Sequence, residues 1–102
     1  TNLSTLRRAL PDLMKGFNEL AHASIRDGAL DMKTKELIAL ALGVAGHCDA
    51  CIGFHVQALV KLGVTLPELE ETLGVAVYMG GGPSLMYAAN ALGAFAELSN
   101  PP

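Results

Sequence analysis

Residues 31–63 read DMKTKELIALALGVAGHCDACIGFHVQALVKLG, and this stretch decides the fold class. Asp31 can cap a helix that we place over residues 32–46, where apolar residues recur at three- and four-residue spacing. A further helix is expected from residue 47 or 49 to residue 62, with Gly63 as its terminating residue. The stretch shows no strict alternation of apolar and polar residues, which a half-buried strand would require. It therefore predicts two consecutive helices.

The sequence before this stretch predicts one more helix. It begins at Pro11, because proline suits the first turn of a helix, and ends near Gly28. Three- and four-residue spacing places its apolar residues on one side, which we expect to be buried: Leu13, Met14, Phe17, Leu20, Ala21 and Ile25.

The sequence after the stretch predicts two more helices. Thr65 and Glu68 have the form of a capping box for a helix that carries Leu69, Leu73 and Val77. The last helix opens at residues 83–84 and ends near residue 98. The expected fold is all-α, a compact bundle of about five helices in a single domain over residues 1–102, a length that suits one domain.

Composition narrows the classes of function. Charged residues make up 17% of the 102 residues and apolar ones 51%, so a monomer would have difficulty covering its apolar surface, and we expect a homo-oligomer. Residues 37–46 form a ten-residue uncharged run, far shorter than the ~20 residues of a membrane span, and the longer uncharged stretch 72–96 is broken by residues 80–83 (GGGP). A net charge of −3 without a basic cluster disfavours nucleic-acid binding. No secretory signal is evident, and the cytoplasm is the expected location.

The two cysteines of the chain point to thiol chemistry. At about 100° of rotation per residue, Cys48, Cys51 and His55 lie within roughly a 60° arc of one helix face. The cysteines stand near the start of their helix, where free N–H groups and the helix dipole favour the thiolate, the reactive form in thiol exchange. His55, one turn beyond Cys51, could accept its proton.

Other interpretations of these residues stay open at this point. The cysteines could be small buried apolar residues, or they could bind zinc together with His47 and His55, although structural zinc sites usually draw their ligands from two separate segments. Glu36, next to Lys35, could be a solvated helix residue. It could instead face the cysteines and relay protons.

Three segments together resemble the alkylhydroperoxidase D and carboxymuconolactone decarboxylase superfamily. They are residues 30–40 (LDMKTKELIAL), the motif Cys48-x-x-Cys51-x-x-x-His55, and residues 63–71 (GVTLPELEE). The similarity covers about residues 28–98. Glu36 stands twelve residues before Cys48, a spacing that looks like the active-site signature of the peroxidase branch.

The resemblance implies a helical fold that assembles into trimers or hexamers and reduces organic hydroperoxides or disulfides. It implies that Cys51 is the attacking thiolate, that Cys48 resolves the resulting sulfenic acid, and that Glu36 and His55 move protons. No metal or organic cofactor is required. The reductant is expected to be a partner thiol, such as a dihydrolipoyl group or a thioredoxin-like protein.

One position departs from the family pattern. Alkylhydroperoxidase D has a histidine directly before its second cysteine, and this chain has Ala50 there. The expected proton relay is therefore shorter and the peroxidase slower, with His47 as a partial substitute at most. Two other functions stay open: a carboxymuconolactone decarboxylase-like lyase, and a helical oligomer whose cysteines sense redox state without turnover.

Overall fold

The computed structural model describes residues 2–99, and over that range the chain forms six α-helices and no β-strand. The helices are α1 (Asn2–Ala9), α2 (Pro11–Ile25), α3 (Met32–Ala45), α4 (Asp49–Lys61), α5 (Leu66–Gly80) and α6 (Ser84–Ser99). The all-α prediction is confirmed, and α2 to α6 are the five helices expected. The short α1 is an addition, so the count of about five becomes six. Within residues 2–99, no helix is long and apolar enough to cross a membrane.

The chain divides into two compact units, the first of which ends at Met32. In this unit α1 packs against α2, and the two helices follow one another almost without a break. Leu10 separates them, and its N–H still donates to the Leu6 carbonyl at 2.8 Å. Pro11 then opens α2, as the sequence predicts. The first unit is thus a pair of successive helices.

The burial of α2 corrects an expectation. The apolar stripe is present, but no residue of α2 is buried, and Leu13, Phe17 and Leu20 are 59%, 62% and 62% exposed. Amphipathic spacing specifies which face of a helix is apolar, but it does not supply the surface that covers this face. In the first unit only the eight-residue α1 packs on α2, which is too little to bury the stripe.

The second unit begins at Lys33 and contains the hydrophobic core. Its last helix, α6, packs against both α4 and α5. Each of the four helices buries residues at positions i, i+4 and i+7, the spacing of one helix face. Eleven apolar residues form the core: Leu40, Val44, Ile52, Val56, Leu59, Val64, Leu69, Leu73, Ala76, Ala88 and Ala91. Among residues 2–99, the buried polar residues are Glu36 and Ser84, and each occupies position i of this pattern in its helix.

Local signals set the helix ends as predicted in two places. The Glu68 N–H donates to Thr65 Oγ1 at 3.3 Å and the Thr65 N–H donates to Glu68 Oε1 at 2.9 Å, which completes the capping box of α5. Gly63 ends α4 with a positive φ of 77°, a conformation that costs glycine little. At the start of α3, the Met32 N–H donates to the carboxylate of Asp27 at 2.6 Å.

Candidate functional site

The turn between α3 and α4 places the first cysteine. The His47 N–H donates to the Val44 carbonyl at 3.2 Å, and the Cys48 N–H donates to the Gly43 carbonyl at 2.9 Å. These two bonds form a Schellman motif, in which the residue after the helix adopts the left-handed conformation. That residue is His47, with φ of 58°. Cys48 therefore has its backbone held by α3 while it begins α4.

Cys48 and Cys51 are joined by a disulfide at the N-terminus of α4. Cys48 is the N-cap, and its Sγ accepts a hydrogen bond from the Cys51 N–H at 3.3 Å. The two Cα atoms are 5.3 Å apart, inside the usual range for a disulfide. Both residues are partly exposed, so a small thiol or peroxide can reach the sulfur atoms. The structure thus places the two predicted cysteines at bonding distance.

Gly43 makes room for Cys51. A Cβ at Gly43 would lie 3.1 Å from the Cβ of Cys51, closer than side-chain carbons normally approach. Gly43 is buried on the face of α3 that also carries Glu36 and Leu40. Sequence reasoning did not single out Gly43. The available signal was its position seven residues after Glu36, on the same helix face.

Glu36 and His55 form a pair one turn beyond the cysteines. His55 Nδ1 lies 3.1 Å from Glu36 Oε1. Glu36 is only 6% exposed, so its interpretation as a solvated helix residue is wrong. A buried carboxylate is costly without a hydrogen-bonded partner, and His55 is the partner that the structure provides.

The Glu36–His55 geometry defines what His55 can do. An ionised carboxylate only accepts hydrogen bonds, so with Glu36 ionised the donor is the Nδ1–H of His55. In a neutral imidazole this leaves Nε2 with the lone pair that can accept a proton. His55 follows Cys51 by four residues in α4, which puts both side chains on one helix face. The arrangement can remove a proton from a nearby thiol or return one.

His47 points to a different part of the molecule. Its ring stacks on Tyr87 with the centroids 4.6 Å apart and the planes 8° from parallel. Its Nε2 lies 3.3 Å from the hydroxyl oxygen of Ser84, which is fully buried at the start of α6. His47 therefore contacts α6. The sequence offered no signal for this contact, because Ser84 is 37 residues further along the chain.

The zinc interpretation gains no geometric support. Among residues 2–99, no group of three or more histidine, cysteine, aspartate or glutamate side chains is arranged to hold a metal ion. His47 is directed to Ser84, and the two sulfur atoms are bonded to each other. The four side chains named for zinc therefore do not converge.

Comparison with known proteins places the chain in a family. A sequence model of the carboxymuconolactone decarboxylase family matches residues 11–94. The crystal structure of apo-lpg0406, a protein of that family from Legionella pneumophila, is 65% identical, with a TM-score of 0.92 over 98% of this chain and 89% of that one. A family protein from Thermotoga maritima, described as a candidate participant in an antioxidative response, is 36% identical, with a TM-score of 0.79 over 83% and 88%.

A curated relative extends the comparison at the level of sequence. It is an uncharacterised protein of Cupriavidus necator, 40% identical over 94 residues, which are 92% of this chain and 83% of that protein. The family match and the solved structures agree with the similarity first carried by residues 30–40, the cysteine motif and residues 63–71. This chain belongs to the carboxymuconolactone decarboxylase family.

Proposed function

We propose that the chain is a thiol-dependent oxidoreductase that reduces organic hydroperoxides or disulfides through Cys48 and Cys51. The observation that carries the proposal is the Cys48–Cys51 disulfide at the start of α4, one turn from His55 and its buried partner Glu36. Family membership is compatible with redox chemistry of this kind. The Thermotoga maritima relative, whose description connects it with an antioxidative response, adds support.

The proposed reaction begins on Cys51. Its thiolate attacks the peroxide oxygen, the O–O bond breaks, and the products are an alcohol and a sulfenic acid on Cys51. The Cys48 thiol then attacks that sulfur, a disulfide forms, and water leaves. The peroxide gains two electrons and the cysteine pair loses two. Two external thiols, oxidised together to one disulfide, return the pair to the dithiol state.

Glu36 and His55 are the proposed proton carriers. His55 Nε2 takes the proton of a cysteine thiol before the attack and returns it to the leaving alkoxide or hydroxide. Glu36 holds the His55 ring through Nδ1 and stabilises it when it is charged. This chain has Ala50 where alkylhydroperoxidase D has a histidine. Because Glu36 and His55 are both present, a route for protons remains.

The proposed reductant is a protein or cofactor thiol, either a dihydrolipoyl group or a thioredoxin-like protein. No metal or organic cofactor takes part in the proposed cycle. A dithiol at rest needs a reducing compartment, so we place the reaction in the cytoplasm.

We also propose that the working form is a homo-oligomer, a trimer or a hexamer. Among the described residues, many large apolar side chains are exposed on a chain with few charges, including Phe17, Tyr78 and Met86. We further propose that residues 1–102 act as a single domain, because the family match over residues 11–94 spans the boundary between the two compact units.

The test follows the mass of the protein after one equivalent of cumene hydroperoxide. We expect the reduced wild type to lose the mass of two hydrogen atoms rapidly. Cys48→Ser should accumulate an oxidised Cys51, and Cys51→Ser should be inert. A wild-type mass that persists for hours, while free thiols react, would exclude the peroxidase. Disulfide substrates would then be tested in the same format.

The family name favours a second candidate, a lyase that acts on a small lactone or acid. Such a reaction does not need a cysteine pair. Full activity of the double variant Cys48→Ser, Cys51→Ser on carboxymuconolactone would support the lyase. Loss of hydroperoxide reduction in the same variant would support the thiol enzyme.

A further inference from the structure

The turn before Cys48 has a histidine in the left-handed conformation, which the termination of a helix does not require. α3 and α4 both end in a Schellman motif, and the left-handed position is filled by His47 in the first and by Gly63 in the second. A side chain in this conformation costs roughly 1 kcal/mol that glycine does not incur. The imidazole of His47 makes contacts that a glycine could not make, and these contacts can offset this cost.

The contacts of the His47 ring tie the turn to α6. One face of the ring lies on Tyr87, and Nε2 is at hydrogen-bond distance from the Ser84 hydroxyl. Ser84 has no exposed surface, and the contact with His47 accounts for its buried oxygen. His47 itself is exposed, so it contacts the buried Ser84 hydroxyl from the solvent side.

Ser84 lies where the ends of three helices meet. A Cβ at Gly80, the last residue of α5, would overlap the Ser84 hydroxyl and lie 3.0 Å from both Cα and Cβ of Ala45. Ala45 is the last residue of α3, two positions before His47. The C-terminal ends of α3 and α5 and the N-terminal end of α6 are therefore closely packed around Ser84.

We propose that His47 is a positioning residue that holds Cys48 beside Cys51 when the disulfide is open. The inference rests on the proposed redox function and assigns no proton transfer to His47. The three residues His47, Ser84 and Tyr87 together form a latch. The latch acts through the backbone, because Cys48 is the residue directly after His47.

The physical argument concerns the dithiol state. Once the sulfur–sulfur bond is broken, the covalent restraint on the turn is gone, and only its own hydrogen bonds and the latch limit its motion. A more restricted turn raises the effective concentration of the Cys48 thiol at Cys51, and a high effective concentration favours ring closure. The latch therefore stabilises the disulfide relative to the dithiol and speeds its formation.

The test measures the equilibrium between the cysteine pair and glutathione in the full-length protein. In this exchange, two glutathione thiols are oxidised to one disulfide while the protein disulfide becomes two thiols. The main variant is His47→Gly, which keeps the left-handed backbone and removes the ring. Ser84→Ala removes the hydrogen bond only, and Tyr87→Phe is the matched control, because it keeps the stacked ring.

We expect His47→Gly to lower the equilibrium constant for disulfide formation about tenfold. This corresponds to a shift of the reduction potential by ~30 mV to a less negative value. Ser84→Ala should shift it in the same direction by about threefold, and Tyr87→Phe should match wild type. The double variant His47→Gly, Ser84→Ala should equal His47→Gly alone, since the hydrogen bond is already lost. Urea unfolding of the reduced proteins should show that His47→Gly stays folded.

Three results would contradict the inference, and they are distinguishable. If wild type exchanges with glutathione and His47→Gly has the same equilibrium constant, His47 serves only to end α3 and the latch is excluded. If the wild-type disulfide exchanges neither with glutathione nor with dihydrolipoamide, the proposed redox function is excluded, and the latch with it. A shift in Tyr87→Phe as large as that in His47→Gly would exclude ring stacking as the cause.

Discussion

At the scale of single residues, Glu36 is the one buried charged side chain among the described residues. Carboxylates are rarely buried unless they are paired, and Glu36 is buried against a histidine from another helix. Its flanks, Lys35 and Leu37, give no indication of this, because burial depends on what packs over the helix face. We propose that the carboxylate has a specific task through its contact with His55, which is to orient one ring nitrogen.

Glu36→Gln tests that task. The amide fills the same space and can still pair with His55, but it cannot stabilise a charged imidazolium. We therefore expect the rate of Cys51 oxidation by cumene hydroperoxide to fall about 100-fold, the lower end of general acid–base effects. Stopped-flow measurement of peroxide consumption gives this rate directly.

The matched control for this change is Glu71→Gln on α5. Glu71 is exposed on a different helix, so the substitution removes the same charge without altering the Glu36–His55 contact. Peroxide consumption should be unchanged in this variant. Equal loss of rate in both variants would mean that net charge, and not the Glu36–His55 contact, governs the reaction.

At the scale of helices, the close approach of α3 to α4 depends on the absence of a side chain at Gly43. Gly43→Ala places a methyl group 3.1 Å from the Cβ of Cys51. Alanine favours a helix by ~1 kcal/mol over glycine, but overpacking costs about 1–3 kcal/mol, and the disulfide limits how far Cys51 can move away. We expect a net loss of about 1 kcal/mol in the free energy of unfolding by urea.

Gly74→Ala is the control for helix propensity. Gly74 lies inside α5, and a Cβ there would meet no atom within 4 Å. This substitution should raise the free energy of unfolding by ~0.5–1 kcal/mol. Gly43→Ala should be the less stable of the two variants. If both gained equally, the close contact with Cys51 would not constrain the helices.

The start of α5 carries a pH-dependent contribution to stability. The Lys33 ammonium, which donates to Glu68 Oε2 at 2.8 Å, lowers the pKa of Glu68 below its ordinary value of 4.5, and the backbone N–H of Thr65 lowers it further. The folded state therefore favours the ionised carboxylate. Its contribution is complete above pH 4.5 and is lost as the pH falls through the lowered pKa.

The comparison of wild type with Glu68→Gln tests this pH dependence. Urea unfolding at pH 7 should show wild type as the more stable protein, and the difference should shrink as the pH approaches 3. Because the side chain is exposed and screened by solvent, the effect is small. A difference that is constant from pH 7 to pH 3 would show that the charge of Glu68 does not contribute.

At the scale of the whole molecule, the exposed apolar surface bears on assembly. If the proposed oligomer forms, sedimentation should give three or six times the chain mass of 10.6 kDa. Phe17→Glu, on the exposed stripe of α2, should weaken association, because a carboxylate is costly to bury. Asn18→Glu adds the same charge at the next position, where the native residue is polar, and should sediment as wild type. A monomeric wild type would contradict the proposal.

Much of the helical architecture was predictable, because its signals are local. The capping box at Thr65 and Glu68, the left-handed Gly63 and the first-turn Pro11 each act within a few residues. The face shared by Cys48, Cys51 and His55 follows from helix geometry alone. The prediction that the apolar stripe of α2 is buried was wrong for a related reason. Periodicity shows which face of a helix is apolar, but burial also requires another surface that packs on this face.

The amino-acid sequence by itself determined the helices from α2 to α6, several of their ends, and the spacing that lets two cysteines bond at a helix start. Only the tertiary structure decided that Glu36 is buried on His55, that Gly43 admits Cys51, and that His47 reaches Ser84 on α6. The physical reason is the range of each interaction. Helix ends and faces depend on neighbours within a few residues, whereas these contacts join residues from separate elements of the fold, which no local pattern specifies.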